Sequence, residues 1–335
     1  VIMDRVARNA AREMNEALAE MADKNGLIID LRRNPGGFLD ESLMLADLFL
    51  KPGSTLASTV QRVPGGDAAE PETDSYNDRW PQLVPDLPVV ILVDEFTASG
   101  AEIPAGALQD YDRAVVLGQR TFGKGVVQTV MNLPYGRRLR FTTGSWLTPL
   151  GRSLQRDRDA QGRPIMENID SLPRIETAAG RSLIAGGGVF PDLVIRDDTL
   201  TTTEQDFIRK SNEAQFPLGL RITEFGFSIA ADRRASGAEP SLTEAEFAQF
   251  VDQLVDEGMD AELLEHEDVR GYLHWRVEMA VAQRMDDIAA EAGFRMKRDP
   301  VLTEAVRLLR EASSQQHLFE MVDALPDAPQ GPARR

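Results

Sequence analysis

The sequence predicts an α/β core up to about residue 198, followed by an all-helical C-terminal part. In the first part, three short apolar runs of the kind found in strands buried on both faces alternate with segments of helical periodicity. From residue 200 onward, apolar residues recur at helical spacing. We therefore expect an α/β domain at 1–198, a helical domain at 199–325 and a disordered tail at 326–335.

The elements of the core follow from local patterns. Apolar side chains at helical spacing over residues 3–24, followed by Asn25-Gly26, predict a first helix. A second helix is predicted over about 39–50, and a third from Ser99 to about Gln109. Buried strands are predicted at 27–31, 88–93 and 114–118, and alternating strands at 126–133 and 138–147.

Two polar stretches interrupt this order. Residues 51–86 are rich in proline, glycine and acidic side chains, which favours strands joined by exposed loops. Residues 152–188 show little periodicity and are predicted to form a long loop or insertion. In the C-terminal part, amphipathic helices are predicted over about 247–255, 269–288 and 301–309, the first of them starting behind Ser241 and Thr243.

Composition narrows the classes of function. The 335 residues include 37 Lys and Arg against 54 Asp and Glu, a net charge of −17 that argues against a nucleic-acid partner. The absence of cysteine excludes thiol catalysis, disulfides and cysteine-based zinc sites. No apolar run approaches the roughly 18 residues of a membrane span. The chain opens Val1-Ile2-Met3-Asp4-Arg5 without a leader, which we interpret as a fragment of a longer precursor or a processed product.

Ser99 and Lys124 are the candidate reactive pair. Each lies in a distinctive local sequence, Thr97-Ala98-Ser99-Gly100-Ala101 and Thr121-Phe122-Gly123-Lys124-Gly125. A serine hydroxyl is a poor nucleophile until a neighbouring base removes its proton, and a lysine can be that base only when it is neutral. The pair suggests a hydrolase with a serine nucleophile and a lysine base.

The segment Gly118 to Lys124 also spells the G-x-x-x-x-G-K pattern of a phosphate loop. Position 125 is glycine where a magnesium-binding Ser or Thr belongs, and the pattern after it is that of a strand. The helix whose N-terminus would hold the phosphates is therefore missing, and we do not expect nucleotide binding.

A serine, histidine and aspartate triad is the second alternative. All three histidines, His266, His274 and His317, lie in the helical part, where each is interpreted as an ordinary surface or core side chain. His266 and His274 are two helical turns apart and belong to no metal-binding motif. A lysine remains the economical base for Ser99, and we expect neither a metal ion nor a cofactor.

Four ordered motifs then resemble the C-terminal processing peptidases, the tail-specific serine protease family. They are Asp30 to Gly37, Thr97 to Ile103, Gln109 to Tyr111 and Gly118 to Gln128. Two later segments, Thr148 to Ser153 and Gly188 to Leu193, and the helix from Asp299 to Ala305 also look like that family. The resemblance covers about residues 3–198 and implies a crotonase-like ββα superhelix for the core.

The resemblance implies a role for each motif residue. Ser99 is the nucleophile, Lys124 the general base and Gln128 the group that orients the lysine. Lys124 and Gln128 are four residues apart, so on one strand their side chains would lie on the same face. The backbone N–H groups of Gly37 and Gly100 would form the oxyanion hole. Acidic positions of the family match Glu102 and Asp110, which we expect to be supporting residues.

This chain departs from the family pattern at several points. The family usually has alanine after the nucleophile and serine before the glutamate, where this chain has Gly100 and Ala101. A PDZ domain normally precedes the core, and none fits in this chain. The helices of 200–298 are absent from short members of the family; such helices are usually core, or they could form a dimer interface or a substrate platform.

The expected function is a serine endopeptidase that cleaves proteins with unstructured C-termini near those ends through an acyl-enzyme. By the same resemblance, it is expected to act outside the cytoplasm, in the periplasm or after secretion. Two alternatives remain open: a catalytically silent or regulated peptide- or ligand-binding module on the same fold, and a crotonase-type acyl-CoA enzyme, which would leave Lys124 unexplained.

Overall fold

The computed structural model describes residues 1–20, 24–61, 72–165, 167–196 and 200–325. The chain divides into two compact units, Val1–Arg196 with Glu304–Arg335, and Asp197–Thr303. This division assigns residues from 304 onward to the first unit, whereas the sequence suggested one helical domain over 199–325. The tail expected at 326–335 lies outside the described residues.

The first unit contains most of the predicted elements of the core. Its helices before residue 196 are α1 (Ala10–Ala19), α2 (Leu39–Asp47) and α3 (Glu102–Asp110). Its strands are β1 (Leu27–Asp30), β2 (Thr55–Gln61), β3 (Glu72–Asn77), β4 (Val89–Val93), β5 (Val115–Gly118), β6 (Val126–Asn132), β7 (Arg138–Leu147), β8 (Arg174–Glu176), β9 (Ser182–Ile184) and β10 (Leu193–Val194). The mixed α/β class is confirmed.

A four-stranded parallel sheet in the order β1-β4-β5-β10 forms the centre of this unit. Every residue of β4 is buried, as expected for the middle of a parallel sheet covered on both faces. A second, antiparallel sheet has the strand order β3-β2-β7-β6, and β8 pairs with β9 in a two-stranded sheet. These last two strands lie inside the segment 152–188, which was predicted as a loop or insertion.

The predicted helix over 3–24 is wrong in its first part. Ile2 and Val6 instead form parallel bridges with Asp30 and Gly37, so residues 2–6 are extended beside β1 and the loop that follows it. The helix begins only at Ala10. Val6 is fully buried in this extended segment, and this burial explains why the residue is apolar. Its position at helical spacing therefore did not indicate a helix.

The second unit is all-helical, as predicted. Its helices are α4 (Thr202–Glu213), α5 (Leu218–Ser236), α6 (Glu244–Asp256), α7 (Glu267–Met285) and α8 (Ile288–Met296); α9 (Pro300–Glu311) and α10 (Gln315–Asp323) follow in the chain. Thr243 caps α6 in a capping box with Glu246, so the predicted start of that helix is confirmed. The core of this unit includes Phe250, Leu254 and Leu273, all of which are fully buried.

A buried ion pair fixes the end of α3. Asp110 Oδ1 lies 2.5 Å from an Arg152 guanidinium nitrogen, and both side chains are almost wholly buried. The other oxygen of Asp110 accepts the Leu150 N–H at 2.8 Å. Arg152 also donates to Gln109 Oε1 at 3.1 Å and to the Ile184 carbonyl at 3.2 Å. Asp110 thus holds the turn after β7 against the α3 helix.

Asp110→Ala is expected to lower the free energy of unfolding by about 3 to 5 kcal/mol, because it leaves the buried Arg152 charge without its partner. Urea denaturation followed by circular dichroism measures the change. Asp4→Ala, at an exposed position, is the control and should change the value by less than about 0.5 kcal/mol. Equal stability of the two variants would contradict the assigned role.

Two buried carboxyl groups lie side by side: Asp47 is the last residue of α2, and Asp78 directly follows β3. The Arg79 N–H donates to Asp47 at 3.0 Å, and the Trp80 N–H donates to Asp78 at 3.1 Å. Burial and the neighbouring Asp47 carboxyl raise the pKa of Asp78 from 3.8 to about 7. One proton is therefore held between the two groups at mildly acidic pH.

The free energy of unfolding should fall as pH rises from about 4 to about 7, because the folded chain retains a proton on Asp78 that the unfolded chain releases above pH 3.8. Asp78→Asn removes that proton release and should flatten this part of the profile, measured by urea denaturation across the range. Asp74→Asn, exposed on β3, should keep the wild-type slope. A slope that Asp78→Asn leaves unchanged would rule out this pair as its source.

Candidate active site

The candidate site lies where three parallel strands end. The segment after β1 carries Gly36 and Gly37, the segment after β4 carries Ser99, and the segment after β5 carries Lys124. Because β1, β4 and β5 are neighbours and parallel, their carboxyl ends meet at one edge of the sheet. This is the edge at which open α/β sheets bind ligands.

Ser99 sits on a sharp turn between β4 and α3. Its φ of +55° is in the left-handed region, which a residue with a side chain seldom adopts. It starts a short 3₁₀ turn, Ser99–Ala101, that leads directly into α3. The side chain is half-buried, and this conformation presents it at the start of the helix in the manner of a nucleophile elbow.

The carboxylate of Glu102 joins the serine and lysine segments. Its Oε2 accepts the backbone N–H of Ser99 at 2.7 Å and that of Lys124 at 2.9 Å. Its Oε1 accepts the Thr121 hydroxyl at 2.5 Å and the Gly123 N–H at 2.8 Å. Ser99 and Lys124 therefore donate from their backbones to the same oxygen atom, which fixes the distance between the two segments.

Glu102 is fully buried, and that burial raises the pKa of its carboxyl above the ordinary value. The hydrogen bonds from Thr121 and from the three amides act in the opposite direction. The Thr121 hydroxyl accepts the Val189 N–H at 2.7 Å, so its own proton is available for Glu102. Four donors converge on two oxygens, the arrangement that an ionised carboxylate satisfies best.

Gly36 approaches the serine turn too closely for a side chain, and Gly37 approaches the backbone of Val6 in the same way. Gly36 has a φ of +89°, and a Cβ there would lie 2.5 Å from the Gly100 nitrogen. A Cβ on Gly100 would lie 3.0 Å from the Gly37 nitrogen and 2.5 Å from Ser42 Oγ. Gly37 is exposed, and no acceptor within the described residues takes its N–H. The glycine loop and the turn of Ser99 thus form one surface with an available amide.

Asp94 and Asn34, which sequence reasoning did not select, tie these two loops together. Asp94 accepts the N–H groups of Arg33, at 2.9 and 3.0 Å from its two oxygens, and of Thr97 at 2.9 Å. The Ala98 N–H donates to the Asn34 carbonyl at 2.9 Å. The signal for Asp94 was present, because an acidic residue directly follows the buried strand β4.

A second set of contacts holds the lysine segment from its other side. The Gly125 N–H donates to Gln155 Oε1 at 3.0 Å, and the Arg156 N–H donates to the Gly123 carbonyl at 3.0 Å. Arg158 stacks over the Phe122 ring, 3.5 Å from its centroid, and donates to the Phe122 carbonyl at 2.8 Å. The segment after Ser153, predicted as a polar loop or insertion, therefore packs against the loop that carries Lys124.

The side chains of the predicted dyad make no hydrogen bond to each other in the described structure. Among the described residues, no hydrogen bond involves Ser99 Oγ, Lys124 Nζ or the Gln128 side chain. β6 begins at Val126, so Lys124 lies in an irregular segment before the strand. Lys124 and Gln128 therefore do not share a strand, and the predicted common face is wrong. Catalytic hydrogen bonds often tighten only when substrate binds.

The remaining predicted residues have other surroundings. Asp110 lies at the opposite end of α3 from Ser99 and pairs with Arg152. Of the histidines, His266 precedes α7, His274 lies in α7 with Nδ1 3.6 Å from Glu278, and His317 lies in α10. The G-x-x-x-x-G-K segment is followed by β6 and not by a helix, as predicted.

Within the ranges that the structure describes, no group of three or more acidic or histidine side chains is placed to hold a metal ion. No helix in those ranges is long and apolar enough to cross a lipid bilayer.

The candidate site combines the ends of a parallel sheet, a serine turn with a left-handed φ and a lysine segment joined to that turn by Glu102. Residues 2–161 match the model of peptidase family S41. This match confirms the resemblance found in the sequence motifs.

The chain is also similar to named proteins. A probable CtpA-like serine protease of Staphylococcus aureus (strain N315) is 36% identical over 154 residues, covering 45% of this chain and 30% of that protein. One from Staphylococcus epidermidis is 40% identical over 146 residues, covering 43% and 28%. The chain thus spans less than a third of the length of these curated relatives. A solved structure, the photosystem II D1 C-terminal processing protease, is 26% identical, with a TM-score of 0.44, covering 60% of this chain and 43% of its own.

Glu102→Gln is expected to loosen the lysine segment, because the amide –NH₂ of glutamine cannot accept two of the four converging hydrogen bonds. Amide hydrogen exchange of Gly123 and Lys124 should become faster by about tenfold or more, the effect of leaving a buried donor unpaired. Glu95→Gln, which changes an exposed carboxyl near Ser99, should leave these rates unchanged. Unchanged exchange in Glu102→Gln would show that the carboxylate does not hold the segment.

Proposed function

We propose that this chain is a serine endopeptidase in which Ser99 is the nucleophile and Lys124 the general base. The single observation that carries the proposal is the shared oxygen of Glu102, which accepts the backbone N–H groups of both residues. This contact keeps the two segments together before any substrate arrives. The match of residues 2–161 to the model of peptidase family S41 supports the same chemistry.

In the proposed reaction, Ser99 Oγ bonds to the carbonyl carbon of the scissile peptide while its proton moves to neutral Lys124 Nζ. Negative charge then develops on the former carbonyl oxygen, and the N–H groups of Gly37 and Gly100 donate to it. The C–N bond breaks as the lysine ammonium returns its proton to the leaving amine. Water then bonds to the acyl carbon while one of its protons moves to Lys124 Nζ, with Gln128 orienting the lysine. The bond from the acyl carbon to Ser99 Oγ breaks as the lysine returns that proton to the serine oxygen.

We further propose that the substrates are unfolded polypeptides cleaved near their C-termini, that the protein acts outside the cytoplasm and that the core has a crotonase-like superhelical topology. The motif resemblance supports all three, as does the similarity of 154 residues of this chain to a protease named CtpA-like. The two-unit division supports a peptidase core that ends near residue 196 and a separate helical region after it.

A silent peptide-binding module is the second candidate, favoured by the absence of a hydrogen bond between Ser99 Oγ and Lys124 Nζ in the described structure. This function requires that the same site bind a peptide but not cleave it. The two functions differ in whether a bound peptide is cut.

The test is cleavage of a protein with an unfolded C-terminal extension by the wild-type chain, Ser99→Ala and Lys124→Ala. Ser99→Ala should abolish cleavage, and Lys124→Ala should lower kcat by roughly a hundred- to ten-thousand-fold, the usual contribution of a general base. Lys24→Ala, which removes a lysine outside the site, is the control. Equal cleavage by all the proteins would exclude the dyad, whereas binding without cleavage by the wild type would favour the silent module.

A further inference from the structure

The hairpin of β6 and β7 differs in charge from the rest of this acidic protein. Residues 113–156 contain eight Lys and Arg and no Asp or Glu, in a chain whose net charge is −17. Three of these basic residues, Arg137, Arg138 and Arg140, cluster at the hairpin end. All three are exposed, and none has a carboxylate partner among the residues that the structure describes. Unpaired positive charge is therefore concentrated at one place on the surface.

The strand register places two of these arginines on the same face as Gln128. Cross-strand partners point to one side of an antiparallel pair, and the register joins Asn132 with Arg138, Val130 with Arg140, and Gln128 with Thr142. This face, here called the cationic face, begins four residues after Lys124. It runs from the candidate active site toward the arginines at the tip.

The opposite face of the hairpin is apolar and uncovered. Met131 pairs with Leu139, and Thr129 with Phe141. Met131 and Leu139 are each close to half exposed, and Tyr135 at the turn is 95% exposed. Single exposed apolar residues are ordinary, but a contiguous group on one element marks an interaction surface.

β6 is also the edge of its sheet. The strand order β3-β2-β7-β6 leaves one side of β6 without a neighbouring strand in the described part of the chain. Such an edge can pair with an extended polypeptide through backbone hydrogen bonds, while alternate side chains contact the two faces. An extended chain on this edge would lead directly to the segment of Lys124.

We propose that hairpin β6–β7 binds an unfolded substrate segment that combines acidic and apolar residues, extended along β6, and so selects which polypeptides reach Ser99. The inference rests on the proposed peptidase function and adds the substrate class. Charge complementarity with the cationic face and continuity with the lysine segment identify the occupant as substrate. The arginines are specificity residues and take no part in the bond-breaking steps.

The test compares two unstructured peptides with the same cleavable region and the same apolar residues, one carrying Asp and the other Lys between them. In the variant Arg137→Gln/Arg138→Gln/Arg140→Gln, KM for the acidic peptide should rise roughly tenfold with kcat within about twofold, since surface charges act on binding and are screened by salt. KM for the lysine peptide should stay the same or fall. Leu139→Thr/Phe141→Thr should raise KM for both peptides.

A control variant with the same change in net charge, Arg12→Gln/Arg174→Gln/Arg209→Gln, alters exposed arginines outside the hairpin. It should leave the ratio of the two KM values unchanged. The proposal would be overturned if the hairpin variant also left the ratio of the two KM values unchanged. It would equally be overturned if both variants changed that ratio by the same factor.

Binding of the same peptides to Ser99→Ala, measured by fluorescence anisotropy, separates this inference from the peptidase function. If the wild type cuts neither peptide, the peptidase proposal fails. The docking surface is still supported if Ser99→Ala binds the acidic peptide preferentially and the hairpin substitutions abolish that preference. If the hairpin substitutions leave peptide binding intact but abolish binding to phosphatidylglycerol vesicles, the hairpin binds a membrane surface. That result would overturn the proposal.

Discussion

The buried carboxylate of Glu102 is the constraint on which the arrangement of this site depends. It lies in the first turn of α3, three residues after Ser99, and reaches the loop after β5 that carries Lys124. Burying a carboxyl group costs free energy unless its oxygens accept hydrogen bonds, and those of Glu102 accept four. The cost of burial and the alignment of the two segments are therefore linked, because any movement of either loop would leave part of the carboxylate unpaired.

The surrounding structure limits such movement from several directions. Asp94 and Asn34 connect the glycine loop to the serine turn, and Gln155, Arg156 and Arg158 hold the lysine loop. These contacts use main-chain groups at the ends of parallel strands, where the sheet provides a rigid base. Ser99 can retain a left-handed conformation because its neighbours are fixed in this way.

Much of this could be predicted from the sequence. The buried strands were visible as continuous apolar runs, and Ser99, Lys124 and Gly37 stood in motifs with ordered spacing. The role of Glu102 was harder to foresee, because a glutamate in the first turn of a helix already has a local explanation in the helix dipole. Residues 3–9 were predicted as helix although α1 begins at Ala10, because the apolar Val6 lies at helical spacing while an extended segment buries it. α5 was missed because its apolar residues do not follow a single stripe, so only packing within the second unit reveals it.

Formation of the acyl-enzyme tests the central claim, that Glu102 holds Ser99 and Lys124 as a working pair, most directly. An activated peptide ester would be mixed with the chain and the intact protein mass followed over time, with the adduct located by peptide mapping. The account predicts an adduct on Ser99 that forms at least about a hundredfold more slowly in Lys124→Ala and also more slowly in Glu102→Gln. An adduct on another residue, or the same rate of acylation of Ser99 in all three proteins, would contradict it.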